Sequence, residues 1–153
     1  IPLYTHFRRV KAMLVPIIVG LVAGSLTAAF SALLVARLMG ASVATQLSLA
    51  PKSVTTPIAM GIAERIGGLP SLTAVLVITT GILGAVAGRY LFDALGVRDP
   101  AIRGFATGVT AHGIGTARAF QESEQAGAFS ALAMGMNGLL TAVLLPVLLP
   151  LFG

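Results

Sequence analysis

The chain has 153 residues, of which 56% are hydrophobic and only 10% charged. A soluble domain carries about 25% charge, so this composition belongs to a membrane protein and not to a soluble enzyme with an ample core. The net charge of +5 sits beside apolar stretches instead of forming one exposed stripe, which argues against nucleic acid as a partner, and the absence of cysteine excludes disulfides, thiol catalysis and Cys-based metal sites.

The chain opens on Ile1-Pro-Leu-Tyr4, which reads as the tail of an apolar segment. No signal peptide is visible, and upstream helices are expected. His6, Arg8, Arg9 and Lys11 then precede a charge-free stretch, 12–36. That stretch is long enough to cross the roughly 30 Å hydrocarbon core, which needs about 20 apolar residues. Two more stretches qualify, 67–88 and 126–153. Pro16, Pro146 and Pro150 lie near the ends of the first and last, where freed carbonyls are easiest to satisfy. The basic cluster before the first span puts that end in the cytoplasm. The fold class is therefore an all-α, multi-pass integral membrane protein, one transmembrane domain over 1–153.

The connections between spans, 37–65 and 89–125, are not ordinary loops. Residues 53–63 and 104–117 are apolar or small and carry no charge except His112. Each is too short to span alone, which suits half-helices meeting at a break or a re-entrant segment. If both re-enter, the cluster Arg89, Arg98 and Arg103 shares the cytoplasmic side with the first cluster, leaving Arg37 and Arg65 outside. The charge count prefers this arrangement to one in which the segments cross.

The two breaks also correspond to each other. A shift of 60 aligns Thr56 with Thr116, Ala59 with Ala119, Glu64 with Glu124 and Gly67 with Gly127, and sets Lys52 opposite His112. A shift of 57 continues the match through Gly81 with Gly138 and Leu83 with Leu140. An internal repeat is expected, with units 12–66 and 69–125 and a closing span 126–153, inverted if each unit crosses once.

Irregular backbone at membrane depth must be buried in protein or line a wet cavity, and an ionisable group there is a functional-site hypothesis. Lys52 stands between Pro51 and Ser53, near Thr55, Thr56 and Pro57. With Thr56 as N-cap and Pro57 at the first helical position, a half-helix would aim its N–H groups and positive dipole end at the break. Lys52 would add a charge, and the hydroxyls of Ser53, Thr55 and Thr56 would bond a ligand; the alternative has Lys52 snorkelling to the interface. His112 lies among Gly108, Gly113 and Gly115 and titrates near neutrality, so it can carry a proton. Thr116 is the N-cap candidate of the next half-helix, while Gly113 and Gly115 would let a ligand approach the backbone. Arg118 can hold a carboxylate or pair with Glu122 four residues on. Glu64 and Glu124 mark ends of half-helices, and Asn137 reads as a helix–helix hydrogen bond. Gly20 and Gly24, four apart, form a small-residue packing face suited to oligomerisation. The acids form no paired catalytic constellation and no metal-ligand spacing occurs, so neither an enzyme nor a cofactor is expected.

Three stretches, 48–60 (SLAPKSVTTPIAM), 107–118 (TGVTAHGIGTAR) and 131–138 (ALAMGMNG), resemble the signature of the LrgB/CidB family of bacterial membrane proteins. The resemblance covers nearly the whole chain, and members usually carry additional N-terminal helices. It implies two functional pictures. Bacterial members are antiholin-like modulators of murein hydrolase activity and autolysis beside an LrgA/CidA-type partner. Plastid relatives export glycolate and import glycerate, and bacterial ones are linked to pyruvate. The family is also grouped with cation/proton antiporters and anion transporters built on inverted repeats with broken helices. The leading expectation is a proton-coupled or exchanging transporter of small monocarboxylate anions, a homo-oligomer in the bilayer. Its substrate site would comprise Lys52, Ser53, Thr55, Thr56, His112, Gly113, Gly115, Thr116 and Arg118, with His112 coupling protons. The alternative is the antiholin-like regulator.

Overall fold

The computed structural model describes residues 2–148, and all its regular elements there are helices. Two short helices, α1 (Pro2–Thr5) and α2 (Phe7–Ala12), lead into three long ones: α3 (Leu14–Leu38), α6 (Pro70–Ala94) and α8 (Glu124–Leu148). These three are long and apolar enough to cross a membrane. Between them lie α4 (Val43–Leu49) with α5 (Thr56–Ile66), and α7 (Pro100–Glu122). The spans expected from charge alone are shifted. Pro70, in the first turn, sets the start of α6, and the helix runs on through Arg89 and Asp93, past the last apolar turn. Pro146 lies inside α8, while Pro150 falls outside the described residues.

α7 is one hydrogen-bonded run only in name. Its backbone leaves helical geometry at His112, where φ is 41° and ψ −132°. A Cβ built on Gly115 would come within 2.8 Å of Thr107 Cγ2. Eight residues along a straight helix span about 12 Å, so the chain must fold back at His112. The first arm, 100–111, descends along α6, with Arg103 paired to Asp93 and Ala111 against Gly84. The second arm, 113–122, returns along α8, with Thr116 beside Ser130 and Phe120 on Gly127.

α4 and α5 form a similar hairpin. Turn-type bonds carry the chain past α4, from Lys52 N–H to Leu49 (3.1 Å) and from Val54 N–H to Pro51 (3.3 Å). The 11 residues of α5 then bring it back: the Leu69 N–H bonds Ser48 Oγ at 2.7 Å, and Thr73 Oγ1 donates to the Ser48 carbonyl at 3.0 Å. Residues 50–55 are therefore the tip of this hairpin.

Without water to drive apolar burial in lipid, such helices hold together by close backbone approach. Gly104 of α7 lies on the Ala126 backbone and Gly108 on Ser130. Gly20 and Gly24 of α3 pack on Phe105 and Val109 of the first arm. Gly20 nevertheless stays exposed and Gly24 half-buried, so part of that small-residue face is left uncovered by the chain. A cluster of Ala29, Ala50, Val54, Ala59, Ile62, Val77 and Leu145 ties α3, the first hairpin, α6 and α8 together. The large side chains of α6 at Val75, Ile82, Leu83 and Val86 stay exposed, as befits a surface facing acyl chains.

Candidate functional site

Both hairpin tips are bonded by one side chain of α8. Asn137, at the middle of α8 and 1% exposed, donates through Nδ2 to the Ser53 carbonyl (3.2 Å) and to the Val109 carbonyl (2.9 Å). The first carbonyl belongs to one tip and the second to the turn before the other. A helix that breaks at 112 leaves carbonyls of its preceding turn without their i+4 donors, and Asn137 supplies one. Thr141 Oγ1 donates to Asn137 Oδ1 at 3.4 Å and lies 3.3 Å from Ser25 Oγ of α3. The helix–helix bond read from the sequence is thus the junction of both breaks.

His112 is the reversal point itself. Its Nε2 lies 3.0 Å from the Val77 carbonyl oxygen, which can only accept, so Nε2 carries the proton and a neutral ring keeps its lone pair on Nδ1. The ring lies over Gly81, where an added Cβ would be 2.7 Å from Cε1. Only 3% of His112 is exposed, and its non-helical dihedrals make it the starting residue of the second arm. Thr116 is therefore not the N-cap expected from the sequence. It lies one turn inside the arm, donating to the His112 carbonyl at 2.7 Å, with Ser130 Oγ at 2.9 Å. Gly115 does not open the backbone to a ligand either, since Thr107 and Ala111 of the facing arm fill that space. Gly113 is half-buried, with Met134 nearby.

On the first tip, Thr55 rather than Thr56 is the N-cap of α5. Its backbone is extended, its carbonyl takes the Ala59 N–H at 2.9 Å, and its hydroxyl makes no capping bond. Thr56 and Pro57 form the first turn. Lys52 is half-buried, and its Nζ lies 3.4 Å from Ser53 Oγ. Lys52, Ser53, Thr55, Thr56, His112 and Gly113 thus belong to two tips clasped by one amide.

Arg118 does not join them. Six residues beyond the reversal, it lines a narrow crevice with Arg89, Phe92, Gly104, Thr107 and Glu122. Its Nη1 donates to Gln121 Oε1 at 2.9 Å instead of pairing with Glu122. Glu64 and Glu124 are exposed near helix ends. Among the described residues no three His, Asp or Glu side chains come together as a metal site requires.

The sequence marked Asn137 but gave it a local role. Val77, Gly81, Ser130 and Thr141, which seat or bond the second tip and Asn137, carried no signal that separates them from packing residues of an apolar helix.

Comparison with known proteins places the chain. The YwbG protein of Bacillus subtilis is 40% identical over 149 residues, 97% of this chain and 66% of its own length. The holin-like protein CidB of Staphylococcus epidermidis is 30% identical over 151 residues, 99% of this chain and 66% of its own. The antiholin-like protein LrgB of Bacillus cereus is 30% identical over 153 residues, 100% and 66% respectively. The chain thus spans about 66% of the length of these relatives. No solved structure matches. The LrgB-like family matches residues 1–151, and the chain belongs to that family.

Proposed function

We propose that the full-length protein is a holin/antiholin-like regulator of murein hydrolase activity and autolysis in the bacterial cytoplasmic membrane, acting with an LrgA/CidA-type membrane partner. The carrying observation is the match, over 99% and 100% of this chain, to relatives named holin-like and antiholin-like. The test is deletion of the gene in its host, with detergent-stimulated lysis and murein hydrolase activity measured before and after complementation. A changed lysis rate restored by the intact gene is expected; unaltered lysis and hydrolase activity in the deletion strain overturn the reading.

A second reading, transport of small monocarboxylates such as glycolate, glycerate or pyruvate by proton coupling or exchange, is favoured by one specific observation. The tips carrying Lys52 and His112 are joined at the middle of α8. Broken elements meeting at mid-depth are how secondary transporters build a substrate site. An inverted repeat would accord with it: units 12–66 and 69–125 would each cross once and carry one hairpin, re-entering from opposite faces, with 126–153 closing the bundle. Lys52 and the uncapped start of α5 would attract the carboxylate, and His112 would take the proton at Nδ1. Arg118, away from the tips, would act at the entrance. Uptake of labelled glycolate and pyruvate into liposomes, with and without a proton gradient, tests this reading. Saturable uptake lost in Lys52→Ala supports it; no uptake by folded protein, or uptake unaffected by that change, removes it.

A further inference from the structure

We propose that Asn137 is an interlock that makes the two hairpin tips one mechanical unit, so that neither tip opens without the other. This goes beyond both functional readings and depends on neither. The argument is one of donors and acceptors. A side-chain amide has two N–H groups and one carbonyl on a single plane. Asn137 uses its nitrogen on one tip at Ser53 and on the other at Val109, and its oxygen on Thr141. The orientation is fixed, because the flipped amide would set its oxygen against two carbonyl oxygens. Thr141 in turn lies against Ser25, so the amide is braced from α3.

Leucine, a carboxylate and glutamine each fail at this position. Leucine leaves two carbonyls without donors inside the membrane, where water cannot replace them. A carboxylate would repel both. Glutamine keeps the donors but adds a methylene in a position that is 1% exposed. Besides Asn137 the tips share only an indirect support, Val77 of α6, whose side chain packs with Ala50 and Val54 and whose carbonyl is bonded by His112; among the described residues no other side chain hydrogen-bonds both. Loss of the amide removes the one hydrogen-bonding group that holds both, and therefore loosens both.

Hydrogen–deuterium exchange of the full-length protein in lipid nanodiscs tests the interlock, comparing the unaltered protein with Asn137→Leu. Segments 50–56 and 108–114 should both exchange about tenfold faster, as loss of a buried hydrogen bond implies, while 82–90 of α6 is unchanged. Acceleration at one tip alone, or at neither, overturns the proposal. Should Asn137→Leu loosen the whole bundle, Thr141→Val decides, since it keeps the amide and removes the hydroxyl that braces its oxygen against Ser25. It must then raise exchange at both tips above that of α6, and a uniform change overturns the interlock.

Discussion

His112 holds a backbone conformation, φ 41° and ψ −132°, that residues with a Cβ avoid. What keeps it there is the fit of its ring over Gly81 and its bond to Val77. Two substitutions separate these contributions. His112→Ala and His112→Gly both lose the bond, but only glycine adopts the dihedrals without strain. Strain of about 1–3 kcal/mol is relieved, against a chain-entropy cost for glycine of about 0.5–1 kcal/mol. His112→Gly should therefore be more stable than His112→Ala by about 1 kcal/mol, read as a higher thermal midpoint in detergent. An alanine variant equal to or better than glycine would mean the reversal is not held at this residue. The sequence announced a break here through Gly108, Gly113 and Gly115 but not which residue turns. Glycine is the ordinary choice for a positive φ, yet each of these glycines keeps helical dihedrals and Gly115 is needed where the arms touch. Only the neighbouring helix reveals why a histidine takes the strain. The Thr116 and Thr56 caps were misplaced for a related reason, because Ser130 and the Thr55 carbonyl decide those positions.

At the scale of elements, the composition of the chain exposed the three long helices and the two interruptions, since lipid demands long apolar runs. Their ends were less legible: α6 continues to Ala94 because Asp93 pairs with Arg103 across the turn into α7, a contact invisible along one strand of sequence. Which glycines hold helices together was also hidden. Gly108 and Gly135 look alike in an apolar stretch. A Cβ on Gly108 would sit 2.9 Å from the Ser130 carbonyl carbon and 2.9 Å from Ala133 Cβ, whereas Gly135 has nothing within 4 Å. Gly108→Ala should thus separate the first arm from α8 and cost about 1–3 kcal/mol or more. Gly135→Ala should instead stabilise by about 0.5–1 kcal/mol through helix propensity. Thermal midpoints of the two variants moving the same way would refute this register.

For the whole molecule, the pairing of elements fixes a charge pattern that the linear sequence only suggested. Arg9 pairs with Asp99, and Arg103 with Asp93, so α2, which leads into α3, the end of α6 and the start of α7 lie at one end. Arg118 and Glu122 line a crevice with Arg89, which brings the end of α7 back to that same end. Arg37 and Arg65 lie near the opposite ends of α3 and α5. Basic residues concentrate on the cytoplasmic side of membrane proteins, so the end holding Arg8, Arg9, Lys11, Arg89, Arg98, Arg103 and Arg118 should face the cytoplasm. The 23 residues of α7 would extend about 34 Å if straight, enough to cross the bilayer, and only the reversal at His112 prevents it. The two topologies differ in one observable. With no native cysteine in the chain, single cysteines report sidedness cleanly. Arg98→Cys and Ser123→Cys flank α7 and should both react with an impermeant maleimide from the cytoplasmic side. Ser42→Cys and Leu69→Cys flank the other hairpin and should both react from outside. Reaction of positions 98 and 123 from opposite sides would make α7 a crossing helix and leave the joining of both tips through Asn137 without a topological basis.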